Sequence, residues 1–495
     1  MIDSGYVTCT EASNPRQLMP SRKPAITLIT PPVSLEERYG RLSGAGNTLP
    51  SLGLLSLGSC LRKAGYPVTV IDACSKGLPQ KKTIEYVISA GPKYVCISAT
   101  TLTIHSAVQV AETIKAIDPK ITTVIGGPHL TAVPEKTMEL FSCLDIGVIG
   151  EGEETIIELI KNLEDDTGLS NIPGIIYRRD NDLVKTGPRP FIKNLDDIPF
   201  PAWDLLDDFP KSYRPPPFRF KSLPAAYIVT SRGCPYQCIF CDRSVFGNRC
   251  RTHSAEYILA LMEYLFKRFG IREILLEDDT FVTFRKRLIE ICEGILRKGL
   301  KIGWSCLGRA DAVDLEILNL MKKSGCWHIS YGIETGDPKV MDFIGKKISL
   351  EKIEQAVHWT KEAGLMAKGF FILGHPIDTH ESIQKTIEFA LKIPLDDISV
   401  AMLTPFPGSM VYEIASQYGE FDEDWQKMNL LDVVFIPKGI TKTELKNYSR
   451  QMIRKFYLRP NRIMNYSMRI FRNPKNLPIY IKGITSVLKD IGRHE

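Results

Sequence analysis

The chain has 495 residues, 44% of them hydrophobic and 24% charged, a balance that fits a globular protein with two or three cores and excludes a disordered or fibrous one. Twelve cysteines scattered over that length do not form a secreted disulfide framework; a reduced, oxygen-poor cytoplasm in which clustered thiols bind metal fits better. The N-terminal segment does not read as a secretory leader, and no apolar run is long enough to cross a bilayer. The net charge of +6 comes from the segment Lys446–Glu495, where twelve Lys/Arg meet two acidic residues.

Residues 1–23 are polar and aperiodic and are expected to form a disordered tail. Over 24–169, apolar runs at 25–30, 68–72, 94–99, 122–127 and 146–150 read as buried parallel strands, with helical stretches between them such as the one closed by Gly65. This alternation predicts a doubly wound, Rossmann-like α/β sheet with its ligand in the loops at the carboxyl ends of the strands. No G-x-G-x-x-G follows the first strand, which argues against a dinucleotide. Ser98, Thr100 and Thr101 end one strand with hydroxyl groups, and Gly126 and Gly127 end another where backbone can approach a flat ligand. Gly150 and Glu151 open the run G-E-G-E-E-T. Residues 170–222 read as a linker rich in Pro and Asp, containing a hairpin around Asp180-Asn181-Asp182.

The run S-R-G-C-P-Y-Q-C-I-F-C-D follows. Cys234, Cys238 and Cys241 stand in C-x3-C-x2-C spacing, three thiolates for a four-iron cluster with one iron left open. A structural zinc site needs a fourth ligand, for which Cys250 is the candidate. Six further strand–helix alternations over 223–420 read as a partial (β/α)6 barrel, whose functional groups belong at the carboxyl ends of its strands. Asp278 and Asp279 end the second strand, where paired carboxylates suit acid/base work or a helix cap. Cys306 and Cys326 read as core thiols, and His375 as a residue that substrate can reach. Residues 421–495 leave the barrel pattern for basic amphipathic helix, which reads as a cap on the barrel or a membrane-surface contact and carries no nucleic-acid-binding module.

The cysteine triplet, with Phe240 before its last member, resembles the signature of the radical S-adenosylmethionine (SAM) enzymes. The runs P-S-L-G-L-L-S-L-G-S-C-L, S-A-T-T, G-G-P-H and G-E-G-E-E-T resemble the cobalamin-binding domain that precedes many of their barrels. The resemblance implies a 4Fe-4S cluster that chelates SAM and cleaves it to a 5'-deoxyadenosyl radical. It also implies cobalamin at Ser98, Thr100, Thr101, Gly126, Gly127, Gly150 and Glu151. It places Phe240, Glu334, Arg309, Gly374, Pro376 and Asp278 at SAM, with Glu334 on its ribose or amino group, Arg309 on its carboxylate, and Gly374 and Pro376 around its adenine. The family's G-G-E after the second strand is here L-E-D-D-T-F. The D-x-H-x-x-G motif is absent: P-P-V-S-L-E-E-R-Y-G follows the first strand without a His, so no axial imidazole is expected, and His129 reads as a polar loop histidine. The leading expectation is methylation of an unactivated carbon or phosphorus centre of a small-molecule or lipid substrate, fed by a flavodoxin- or ferredoxin-type reductant. A non-methylating oxidative cyclase and a non-catalytic cobalamin or redox sensor are the alternatives. The basic tail is similar to that of relatives of the anaerobic porphyrin-ester cyclase and the hopanoid-tailoring enzymes.

Overall fold

The computed structural model describes residues 23–180, 182–472 and 474–491, so the expected tail lies outside it except for Lys23. Five parallel strands form the first sheet: β1 (Ile26–Thr30), β2 (Val68–Asp72), β3 (Tyr94–Ser98), β4 (Thr122–Gly126) and β5 (Ile146–Val148). Their order is β2-β1-β3-β4-β5. β1 and β3 are buried almost throughout because helices cover both faces, which is why they read as unbroken apolar runs. The order reverses between β1 and β3, and the loops leaving these two strands diverge to open a crevice. The hairpin expected in the linker is β6 (Ile175–Arg179) with β7 (Asp182–Lys185), and it continues this sheet antiparallel to β5, burying Ile175, Ile176 and Tyr177.

Helix α1 (Leu52–Lys63) starts where the Ser51 hydroxyl accepts the Leu54 N–H, and it buries Leu54, Leu55 and Leu61. Helix α2 (Glu153–Asp165) follows β5 and places the buried carboxylate of Glu153 in its first turn.

The second sheet is wholly parallel and takes its strands in sequence order: β8 (Ala225–Ile228), β9 (Glu273–Leu276), β10 (Gly303–Gly308), β11 (Cys326–Glu334), β12 (Met366–Leu373) and β13 (Asp397–Met402). Helices between the strands pack over the outside, so the sheet curls into a half-barrel. Cys306 and Cys326 are buried in its core with Trp304 and Tyr331, and burial pushes the Cys306 thiol well up. Among the described residues, three α-helices follow towards the C-terminal end: α3 (Lys442–Tyr457), α4 (Pro460–Arg472) and α5 (Leu477–Ile491). Leu445, Met452 and Phe456 of α3 belong to the barrel core, and α5 returns to the first domain, where the Gly44 N–H donates to Ser486 Oγ at 3.1 Å. Among the described residues no helix is long and apolar enough to cross a membrane.

Candidate active site

The cysteine loop leaves β8 and is clamped from several sides. Ser231 and Arg232 pair antiparallel with Arg251 and Thr252 at its base. Within it, the Ile239 N–H donates to the Ile344 carbonyl (3.1 Å) and the Val411 N–H to the Ile239 carbonyl (2.9 Å). Gly345 has φ +71, and a Cβ there would lie 2.8 Å from the Gln237 carbonyl oxygen, so only glycine lets this turn lie against the loop. The Cys238 thiol is drawn down to about 6, chiefly by the hydrogen bond from Cys241 and then by the charges of Lys346 and Arg309. Cys241, as the donor, is pushed up. Burial raises Cys234. The two cations therefore favour the ionised form at Cys238, while Cys241 and Cys234 keep their protons more firmly. Among the described residues no three such ligands converge tightly enough to hold a single metal ion; a four-iron cluster takes its thiolates on separate corners. The Cys250 thiol is paired with Thr280 Oγ1 at 3.5 Å.

Glu334 ends β11 after a register shift and sits at φ +70, a costly conformation for a residue with a Cβ. It is buried and paired with the buried Lys346 at 2.6 Å. Such strain persists where the surroundings enforce it, and here the Glu334–Lys346 pair lies against the cysteine loop. Arg309 ends β10, lies 3.5 Å from the centre of the Tyr236 ring, and forks onto Asp311 while also donating to the Lys346 carbonyl (3.0 Å). Gly374 and Pro376 are buried in the loop after β12, where the N–H groups of Gly374 and His375 both donate to Asp378. His375 is fully buried, which corrects the expectation of a residue open to substrate; its ring lies 6.2 Å from that of Phe240. Burial holds it neutral, with its pKa lowered to about 4.

Asp278 lies beneath the loop. Its Oδ1 accepts from the Thr230 N–H (2.8 Å), the Thr230 hydroxyl (2.9 Å) and the Ser231 hydroxyl (2.6 Å). Burial raises it to about 6 despite these bonds. It fixes the segment that leads into Cys234.

A cavity of about 360 Å³ opens at the switch point of the first sheet, between the two domains. Arg38 and Tyr39 line it from the end of the short helix Leu35–Tyr39 that follows β1, Thr100 and Thr101 from the start of the 3-10 turn after β3, and Asp242 and Phe406 from the barrel side. Thr101 is also bonded to His129 Nδ1 (3.2 Å). His129 is not a polar loop residue: it is fully buried in a short helix with its edge on Trp425, ring centres 4.3 Å apart. Gly127, at φ +100, makes room for the Ala99 carbonyl, 2.6 Å from where its Cβ would stand, so its backbone approaches protein. Gly126 makes only ordinary contact with β5, Ser98 lies beside Gly127, and Gly150 N–H donates to Thr131 Oγ1 at 3.0 Å.

Glu151 does not face the cavity. It is buried and accepts from Arg232 Nη1 (2.8 Å), Arg251 Nη1 (2.8 Å) and the Ile192 N–H (2.9 Å). Glu153 accepts from Arg232 Nη2 (2.5 Å) and the Ser56 hydroxyl (2.8 Å). Burial alone would raise the Glu153 carboxyl, but Arg232 overcomes it and holds the group below its usual range. This knot fastens the G-E-G-E-E-T run of the first domain to the base of the cysteine loop. Arg232, Arg251, Glu153, Lys346, Arg38 and Tyr39 were not singled out from sequence, although Arg232, Glu153, Arg38 and Tyr39 lie inside runs that were.

A doubly wound α/β domain that shares a cavity with a half-barrel bearing three loop cysteines defines the class. A profile of the B12 binding domain matches residues 41–160, and one of the radical SAM superfamily matches residues 228–390. An uncharacterised methyltransferase of Pyrococcus horikoshii is 36% identical over 439 residues, covering 88% of this chain and 93% of that protein. The anaerobic magnesium-protoporphyrin IX monomethyl ester cyclase of Cereibacter sphaeroides is 28% identical over 419 residues, covering 83% of this chain and 67% of the cyclase. The structure of the cobalamin-dependent SAM radical enzyme OxsB, with aqua-cobalamin and SAM bound, shares the fold with a TM-score of 0.72 at 18% identity, over 94% of this chain and 72% of that one. The chain belongs to the radical SAM superfamily, in the branch that carries a B12-binding domain. It is an enzyme, and its cofactors are a 4Fe-4S cluster, SAM and cobalamin.

Proposed function

We propose that the chain transfers a methyl group to an unactivated carbon or phosphorus centre of a small molecule. The observation that carries this reading is the cavity between the domains: Thr100 and Thr101, at the cobalamin end, share it with Asp242, the neighbour of Cys241. When bound, the cluster with SAM supplies a 5'-deoxyadenosyl radical, and cobalamin supplies the methyl group to the substrate radical. Cys234, Cys238 and Cys241 would hold the cluster through three thiolates. Lys346 and Arg309 offset the charge of the thiolates. Glu334 takes the ribose or amino group of SAM, Gly374 and Pro376 wall its adenine, and Leu445 of α3 packs behind that wall, 3.5 Å from where a Cβ on Gly374 would stand. Asp278 positions the loop through Thr230 and Ser231. The unit 24–169 holds the corrin with 170–222 as its linker, 223–420 performs the radical step, and 421–495 is the extension. The reductant is of flavodoxin or ferredoxin type.

The Cereibacter cyclase supports a second reading, oxidative cyclisation. Reduced protein carrying about four irons and one cobalt per chain, given methyl-labelled SAM alone, distinguishes them. Methyl transfer predicts S-adenosylhomocysteine in step with cobalt content. Formation of 5'-deoxyadenosine with no S-adenosylhomocysteine would refute the methyl-transfer reading, and intact SAM would refute catalysis altogether.

A further inference from the structure

Helix α4 carries its apolar residues on the outside. Its inner face is fastened to the barrel and the linker: Arg462 pairs with Asp396 (3.5 Å), the Tyr466 hydroxyl donates to Asp397 (3.1 Å), and Arg469 donates to the Phe218 carbonyl. These residues recur at helical spacing, so the opposite face is fixed outward. On that face Ile463 is 52% exposed, Met464 58%, Met468 41% and Phe471 84%. A surface helix of a globular protein normally presents the reverse pattern.

The surroundings of this stripe are basic. Arg454 and Lys455 are exposed at the end of α3, and Lys475 is exposed just beyond α4. Helix α5 repeats the arrangement with exposed Leu477 and Ile481 beside exposed Lys482. Twelve Lys/Arg against two acidic residues from Lys446 onward set the sign of the whole region. A second copy of the chain would bring the same cations to a self-complementary contact and be repelled. Apolar side chains that insert, with exposed cations on the flanking segments to meet phosphate, match an anionic bilayer surface.

We propose that α4, with the start of α5, docks this protein peripherally on anionic phospholipid membranes through Ile463, Met464, Met468 and Phe471. Docking there leaves the inner face of α4 on the barrel, and α5 runs from the docked face to the Gly40–Ala45 turn, which follows the cavity residues Arg38 and Tyr39. The inference is independent of the methyl-transfer reading.

The test uses the full-length, cluster-loaded protein in co-sedimentation with vesicles of phosphatidylglycerol and phosphatidylcholine, against vesicles of phosphatidylcholine alone. Truncation is unsuitable because Met452 and Phe456 are core residues. The substitutions Met464→Asp and Phe471→Asp, made together at exposed positions, keep the fold testable by iron content and circular dichroism. The expected result is binding to the anionic vesicles only, weakened by salt and reduced roughly tenfold or more in the double variant. Equal binding to both vesicle types, no binding to either, or a double variant that binds like the parent would overturn the proposal. So would concentration-dependent dimerisation of the parent that the double variant abolishes, since the face would then be a self-association surface.

Discussion

Glu151→Gln removes one charge from the buried knot while keeping its shape. The carboxylate serves two guanidinium groups and one backbone N–H, and its side chain is 3% exposed. Removing one partner of a buried ion pair costs about 3–5 kcal/mol, because the remaining charge is left uncompensated. Glu153 still neutralises Arg232, and Arg251 keeps the Ile192 carbonyl, so the lower end of that range applies, about 3 kcal/mol. For a cooperative unit of about 150–250 residues, each kcal/mol moves the midpoint by about 2–4 °C, which predicts a fall of about 6–12 °C. The assay is thermal unfolding followed by circular dichroism. Glu158→Gln is the control: its pair with Arg189 is 40% exposed on the glutamate side, so about 1 kcal/mol or less is expected. The double-mutant cycle of Glu151→Gln with Arg251→Met should show a coupling of at least about 1 kcal/mol. A midpoint within about 2 °C of the parent, or additive single effects, would refute the view that this knot joins the domains.

Asp278→Ala strands the Thr230 N–H and two hydroxyls at about 1–3 kcal/mol per buried group; iron per chain should fall while circular dichroism is retained, and Asp278→Asn, which still accepts, should keep more iron. Unchanged iron in the alanine variant would contradict the positioning role. His129, lowered to about 3 by burial, binds a proton less readily folded than unfolded. Its contribution is therefore complete above the ordinary value of 6.5 and is lost as pH falls from there toward 3, at about 1.4 kcal/mol per pH unit. Relative to the parent, His129→Gln should lose less stability between pH 6.5 and 4.5, read from unfolding midpoints; parallel pH profiles would show that the histidine is not buried neutral.

Both sheets were legible because buried parallel strands are local events: a short apolar run between helical stretches carries its own signal, as at Ile26–Thr30 and Glu273–Leu276. The cysteine triplet was legible for the same reason, since all three thiols lie on one loop eight positions long, Cys234 to Cys241. Glu151 was legible as a marked residue but not in what it faces. The run that contains it signals a turn after a strand, and nothing local says that arginines 81 and 100 positions later will reach it.

The amino-acid sequence by itself determined the strand order along the chain, the spacing of the three loop cysteines and the basic sign of the last segment, because each depends on neighbours in sequence. Tertiary structure alone decided which charge compensates which, how Glu334 is forced to φ +70 against Lys346, why His129 and His375 are dry, and which face of α4 is left in water. Those outcomes depend on what packing brings within a few ångströms across the fold, where desolvation makes an unpaired charge or ring nitrogen costly and pairing decisive.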